Sequence, residues 1–317
     1  MDRALVIGEA LVDVVVRADG TADRRPGGSP ANVAVGLARL GRAVDLLTWI
    51  GDDADGAAVR DHVTASGVRL VAGSDGAART SVATARLGPT GAATYAFDLA
   101  WDLPDPTPSP TPPLVVHTGS IATLLPPGAD AVGRELLQHR ATSTLTYDPN
   151  LRPSIVGPVG PARRTVERLV AVCDVVKVSD EDLAWLLPDD DPADVATRWA
   201  STGPGLVVVT LGAAGAFAVT AAGIQVHMAT PQVTVADTVG AGDSFMAGLV
   251  DGLWSADLLG ADRRDTLRNA PEATLGQILA RCTQIAAITV TRPGADPPTA
   301  AELPSRQFDT FVADSRV

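Results

Sequence analysis

The sequence predicts an α/β fold, a mostly parallel sheet covered by helices on both faces. Short apolar runs alternate with segments of helical periodicity along most of the 317 residues. Those runs are apolar throughout, as strands buried on both faces must be. A third observation adds a part to the fold. Residues 80–98 break the alternation and read as a β-hairpin outside the main sheet.

In chain order, Leu5-Val6-Ile7 reads as the first strand, and 31–40 as a helix with Val33, Leu37 and Leu40 on its buried stripe. Residues 44–49 follow as a strand and 57–66 as a helix. Then come strand 114–117, helix 130–140, strand 145–147 and helix 162–171. Strand 175–178, helix 192–200, strand 206–210 and a long helix after Gly242 close the series. In the exceptional stretch, β-prone runs at 81–87 and 92–97 flank Gly88-Pro89-Thr90-Gly91, the composition of a turn. Residues 12–17 have the composition to pair with them. Segments 12–18 and 80–98 are thus the expected small sheet, either a lid or an ordinary edge hairpin. Residues 103–113 hold six prolines and read as loop. The chain beyond Gly294 reads as irregular with a short final helix. One domain over 1–317 is expected.

Composition excludes several functions. A hydrophobic fraction of 46% supplies a core, and no apolar run approaches the roughly 18 to 20 residues that cross a bilayer. The start of the chain lacks a signal-peptide pattern, so the expectation is a cytoplasmic protein. A formal net charge of −12 disfavours nucleic acid and anionic lipid. Lys177 is the single lysine and follows no glycine, so a nucleotide would have to be held without a P-loop. Cys173 and Cys282 lie far apart and read as reduced thiols, and four scattered histidines offer no zinc spacing.

Two segments carry chemistry. In Asp237-Thr238-Val239-Gly240-Ala241-Gly242-Asp243-Ser244-Phe245-Met246, an extended run meets small residues and a helix begins. A helix start presents unpaired N–H groups and partial positive charge, and glycines let an anion approach them. Such donors stabilise a phosphoryl group in transfer. Asp243 beside them has the chemistry to accept a hydroxyl proton; it also has the chemistry of a helix cap. In Pro26-Gly27-Gly28-Ser29-Pro30-Ala31-Asn32, a glycine pair opens a helix. Asn32 offers a donor and an acceptor to a sugar diol, or a local cap.

Together these segments resemble the paired signatures of the ribokinase-like, or PfkB, carbohydrate kinases, in order and spacing over nearly the whole chain. The resemblance implies a three-layer α/β/α core with a small β lid, sugar bound between lid and sheet, and ATP along the C-terminal part. It implies Asp243 as catalytic base, with the N–H groups of Gly240, Ala241 and Gly242 as anion hole. Asp13, Gly27, Gly28 and Asn32 would hold the sugar, and Thr210, Gly212 and Gly215 would border the nucleotide. Mg²⁺ is implied with ATP. A monovalent cation such as K⁺ near Asp237 and Gly294 is open, as is a homodimer, since lids in this family often pair between subunits.

Many members carry Asn-x-x-Glu before the nucleotide region. Here Lys177-Val178-Ser179-Asp180-Glu181-Asp182 stands instead. In this reading Lys177 replaces the Asn and meets a phosphate, while Asp180 replaces the Glu and holds a water on Mg²⁺. An acidic helix start explains the same charges. Tyr147-Asp148-Pro149-Asn150-Leu151-Arg152-Pro153 and Thr291-Arg292-Pro293-Gly294 look most like fructokinases. Arg152 would reach the sugar or brace Asp148. A carboxylated sugar would suit that arginine, which keeps 2-keto-3-deoxygluconate kinase as the alternative. Tyr95 and Phe97 would stack on the sugar or seal the lid. A sugar sensor without catalysis is the alternative from another class; a Rossmann dehydrogenase is excluded by Gly8-Glu9-Ala10-Leu11, which lacks the glycine fingerprint.

Overall fold

A computed structural model describes residues 2–17, 19–87, 93–104 and 111–304. The strands, in chain order, are β1 (Ala4–Ile7), β2 (Leu11–Val16), β3 (Ala22–Gly27), β4 (Val44–Leu47), β5 (Arg69–Leu70), β6 (Ser81–Leu87) and β7 (Ala93–Asp98). After them come β8 (Val115–Gly119), β9 (Thr144–Asp148), β10 (Val175–Ser179), β11 (Leu206–Thr210), β12 (Ala216–Thr220) and β13 (Gln225–Met228). Nine form one sheet in the order β13-β12-β11-β10-β9-β8-β1-β4-β5. It is parallel from β5 to β11, and the antiparallel strands β12 and β13 close one edge.

The helices are α1 (Ser29–Arg39), α2 (Ala54–Ala65), α3 (Gly128–His139), α4 (Pro153–Val156), α5 (Val159–Val172), α6 (Asp180–Leu186), α7 (Pro192–Ala200), α8 (Ala241–Ser255), α9 (Arg264–Arg268) and α10 (Glu272–Val290). Alternate strand residues feed two separate cores. Val6, Leu46, Val175 and Val208 pack with α1, α2, α8 and α10. Ile7, Leu47, Val176 and Val209 pack with α3, α5, α6 and α7. This is the expected three-layer arrangement. No helix among the described residues is long and apolar enough to cross a membrane.

The remaining four strands form a smaller sheet in the order β3-β2-β6-β7. The hairpin and its pairing with β2 match expectation; the strand β3 was not expected. Val12 and Val14 turn toward the core beside α2, and the pleat sends Asp13 to the opposite face. Register places Asp13 level with Ala83 and Phe97, and Val15 level with Ala85 and Tyr95. The expected turn at 88–91, residue 18 of the expected lid, and the chain end beyond 304 lie outside the described residues.

Candidate active site

Helix α8 begins without a side-chain cap. Gly240 precedes it at φ 76, a left-handed conformation, and a methyl there would lie 2.5 Å from the Ala295 Cβ. The first N–H bonded within the helix is that of Ser244, to the Gly240 carbonyl. Helix geometry therefore leaves the Gly242 and Asp243 N–H groups open at the helix end. The Ala241 N–H folds back on the Thr238 carbonyl at 3.3 Å, so it is the least free of the expected donors.

Asp243 does not cap the helix. Its side chain is 6% exposed and held from two other elements. Its Oδ1 accepts from the Ser29 hydroxyl at 2.7 Å and from Asn150 Nδ2 at 3.2 Å, and its Oδ2 accepts from Asn32 Nδ2 at 2.8 Å. The two motifs thus meet in two hydrogen bonds, which span 214 and 211 residues of chain. Asn32 spends its donor on Asp243, a role the sequence did not foretell. Ser29 and Asn150 were missed as site residues, although both stand in segments quoted above.

Under this helix start lies a buried ion pair. Lys177 Nζ donates to Asp148 Oδ2 at 2.8 Å, with the side chains 3% and 0% exposed. A methyl on Gly242 would lie 3.0 Å from that ammonium, which places the positive charge against the open turn. Burial works against the charged lysine, but Asp148, Asp182 and Asp243 outweigh it and hold its pKa above the ordinary range. Burial pushes the Asp148 carboxyl up to about 6 against the pull of Lys177.

Asp180 is not brought into this cluster. It opens α6, and its Oδ1 accepts from the Glu181 N–H at 3.0 Å. The inward carboxylate is Asp182, buried, with Oδ1 accepting from Leu151 N at 2.8 Å and Oδ2 completing a capping box with Ser179. Helical phase is the reason: the third residue of the first turn points back over the strand end, and the first points away. Lys177–Asp180 and Ser179–Asp182 share the expected four-residue spacing, but only in the second does the acid turn inward.

On the smaller sheet, Asp13 leans over the main chain of Gly27, where a methyl would come 2.2 Å from its Oδ2. Loss of solvent raises its carboxyl pKa, Asp243 adds to the rise, and Arg152 opposes it. Gly28 has φ 104, and a methyl there would strike the Glu9 carbonyl at 2.5 Å. Arg152 does not brace Asp148. Its Nη1 donates to Asn150 Oδ1 at 2.7 Å and to the Asn150 and Leu151 carbonyls, and its charge reaches Asp13 and Glu9. Tyr95 and Phe97 stack nearly parallel, with ring centroids 6.2 Å apart, on the Asp13 face. Tyr95 is 65% exposed and seals no core.

Glu9 is a further acid of this region. Its Oε2 accepts from the Ala122 N–H, and burial pushes its carboxyl up to about 7. Between the ordinary 4.5 and 7, the unfolded chain releases this proton while the folded chain keeps it. The resulting stability is fully present below pH 4.5 and lost as pH rises through 7. The loss is on the order of 3 kcal/mol. Glu9→Gln should therefore be more stable than the parent at pH 8 and gain far less at pH 4.5, as measured by urea melts at both values. An equal difference at the two values would disprove the assignment.

The expected nucleotide turn follows β11. Thr210 ends that strand, and the Gly212 carbonyl accepts from the Thr230 hydroxyl at 3.2 Å. Gly215 has φ 110, and a methyl there would strike the Met228 carbonyl at 1.9 Å, so the β12–β13 packing itself demands glycine. From Thr230 the chain passes an apolar cleft of about 380 Å³ lined by Pro231, Val233, Ala280, Gln284, Ala287, Ile288 and Thr291. The sequence did not reveal this cleft. Beyond it, Asp237 Oδ1 accepts from Val239 N at 3.0 Å and Oδ2 from Gly294 N at 2.8 Å, just before Gly240. The cleft and the open helix start are therefore joined by one short run of chain.

Comparison with known proteins identifies the family. The profile of the pfkB family carbohydrate kinases matches residues 1–301. A fructokinase of Klebsiella pneumoniae is 35% identical over 260 residues, 78% of this chain and 83% of that protein. One from Escherichia coli is 31% identical over 316 residues, 96% of this chain and 97% of that protein. The crystal structure of a Vibrio cholerae O395 fructokinase double mutant, in fructose, ADP and potassium ion bound form, superposes with a TM-score of 0.77 at 28% identity, covering 93% of this chain and 94% of that one. A buried carboxylate at an open helix start, the meeting of two distant glycine turns and this likeness over the whole fold lead to one conclusion: the chain belongs to the pfkB family and is an ATP-dependent carbohydrate kinase.

Proposed function

We propose that the sugar is fructose and that Asp243 removes the proton from its attacking hydroxyl. The observation that carries this reading is the placement of Asp243, buried, hydrogen-bonded and beside both the open N–H groups of α8 and the Lys177 ammonium. A carboxylate there takes the proton while the helix end and the ammonium face the migrating phosphoryl group. The purine of ATP fits the apolar cleft, whose chain leads straight to that helix end. Thr210 and Gly212 border the path between them. Asp13, the Gly27-Gly28 turn, Arg152 and the Tyr95–Phe97 face enclose the sugar.

Fructose is favoured over 2-keto-3-deoxygluconate by charge. Arg152 already faces Asp13, so a carboxylated sugar would meet that acid beside the guanidinium. The relatives' names support the same choice. The metal fits too. No cluster of three or more metal-ligating side chains occurs among the described residues, which suits Mg²⁺ carried in on nucleotide phosphates with its own waters. We assign Asp182, not Asp180, to hold such a water. Bound Mg²⁺ would neutralise phosphate charge. Asp237, whose partners Val239 and Gly294 hold its carboxyl below the usual range against burial, would suit K⁺.

An ADP-release assay over fructose, ribose, glucose and 2-keto-3-deoxygluconate tests the reading. Fructose should give the highest kcat/KM. A clear preference for another sugar would overturn the choice of substrate, and binding without ADP release would favour the sensor.

A further inference from the structure

We infer that Asn150 is a positioning residue for the base: its amide, pinned by Arg152, fixes the direction of the Asp243 carboxylate. This rests on Asp243 as the base. The orientation of the amide follows from chemistry alone. A guanidinium has no acceptor and a carboxylate no donor, so Oδ1 must face Arg152 and Nδ2 must face Asp243. The distances agree: Arg152 Nη1 to Asn150 Oδ1 is 2.7 Å, and Asn150 Nδ2 to Asp243 Oδ1 is 3.2 Å.

The backbone is specialised for the same end. Asn150 has φ 37, the left-handed region that asparagine tolerates better than most residues. That bend follows directly on β9 and carries the amide toward α8. Asp243 thereby receives three donors from two segments: Ser29 and Asn32 from α1, and Asn150 from the strand end. Three of about four acceptor sites on a carboxylate are filled, and the one remaining is on Oδ2. The sugar hydroxyl has a single place to bind. Arg152 faces the sugar region as well, so an arriving sugar touches the same guanidinium that orients the base.

Two variants test this. Asn150→Gly keeps the left-handed backbone and removes the amide, so the fold is retained. Its kcat for the best sugar should fall roughly 10- to 100-fold with the KM for ATP unchanged, the scale of a misplaced reacting group. Asn150→Asp replaces the donor with a carboxylate facing Asp243. The acid limb of its kcat–pH profile should move upward by about one unit, since a second negative charge disfavours ionisation of the base. The other charges around Asp243 are Asp13 from β2, Asp148 from β9, Lys177 from β10 and Arg152, which pairs with residue 150, and all are present in both parent and variant. A kcat within twofold of the parent for Asn150→Gly, or an unmoved acid limb for Asn150→Asp, would overturn the inference. Asp243→Asn is the control. If it stays active, the base assignment falls and this inference with it. If it is inactive while both Asn150 variants behave as the parent, only this inference falls.

Discussion

Asp243→Asn should lose turnover by about 10² to 10⁴, the usual scale for a removed general base, while its melting and its affinity for sugar stay near the parent's. The surroundings explain why the fold survives. Ser29 and Asn150 still meet an oxygen at Oδ1. Only Asn32 faces the new amide nitrogen, and rotating the Asn32 amide by half a turn restores an acceptor. The substitution therefore removes basicity and little else. Single-turnover phosphorylation and sugar titration, run on the same preparation, separate the two effects. Turnover near that of the parent would remove Asp243 from the role.

The other large effect is expected at the single lysine. Lys177→Met leaves Asp148, which is 0% exposed, without its ammonium. Breaking a buried pair from one side costs about 3 to 5 kcal/mol. Protonation of Asp148, already pushed up to about 6, moderates that loss below neutral pH. The double variant Lys177→Met/Asp148→Leu should regain most of the stability in urea melts, because no buried charge is then stranded. It should not regain turnover, because the positive charge beside Gly242 is gone. Recovery of both would make the pair structural only.

Much of this site was legible in the sequence, for physical reasons that differ by residue. Glycine pairs before helix starts mark places where backbone must be bare, so 27–28 and 240–242 announced themselves. The partners of Asp243 did not. That Ser29 and Asn32 turn to Asp243 depends on how α1 crosses α8, which local periodicity does not encode. The choice between Asp180 and Asp182 hung on helical phase, known only once the Ser179 cap was seen. β3 escaped notice because Arg24, Arg25 and Pro26 conceal any apolar alternation on an edge strand. The apolar cleft joins 231–233 to 280–291, two stretches that look unremarkable apart.

The smaller sheet has a mechanical property of its own. Its strands come from two excursions of the chain, β2–β3 and β6–β7, which pair with each other through β2 and β6. The plate is therefore tied to the body at four main-chain crossings, two for each excursion. A flap on two adjacent tethers swings wide. A plate held at four crossings has less freedom to swing than that. No single excursion can be cut away without unpairing the other.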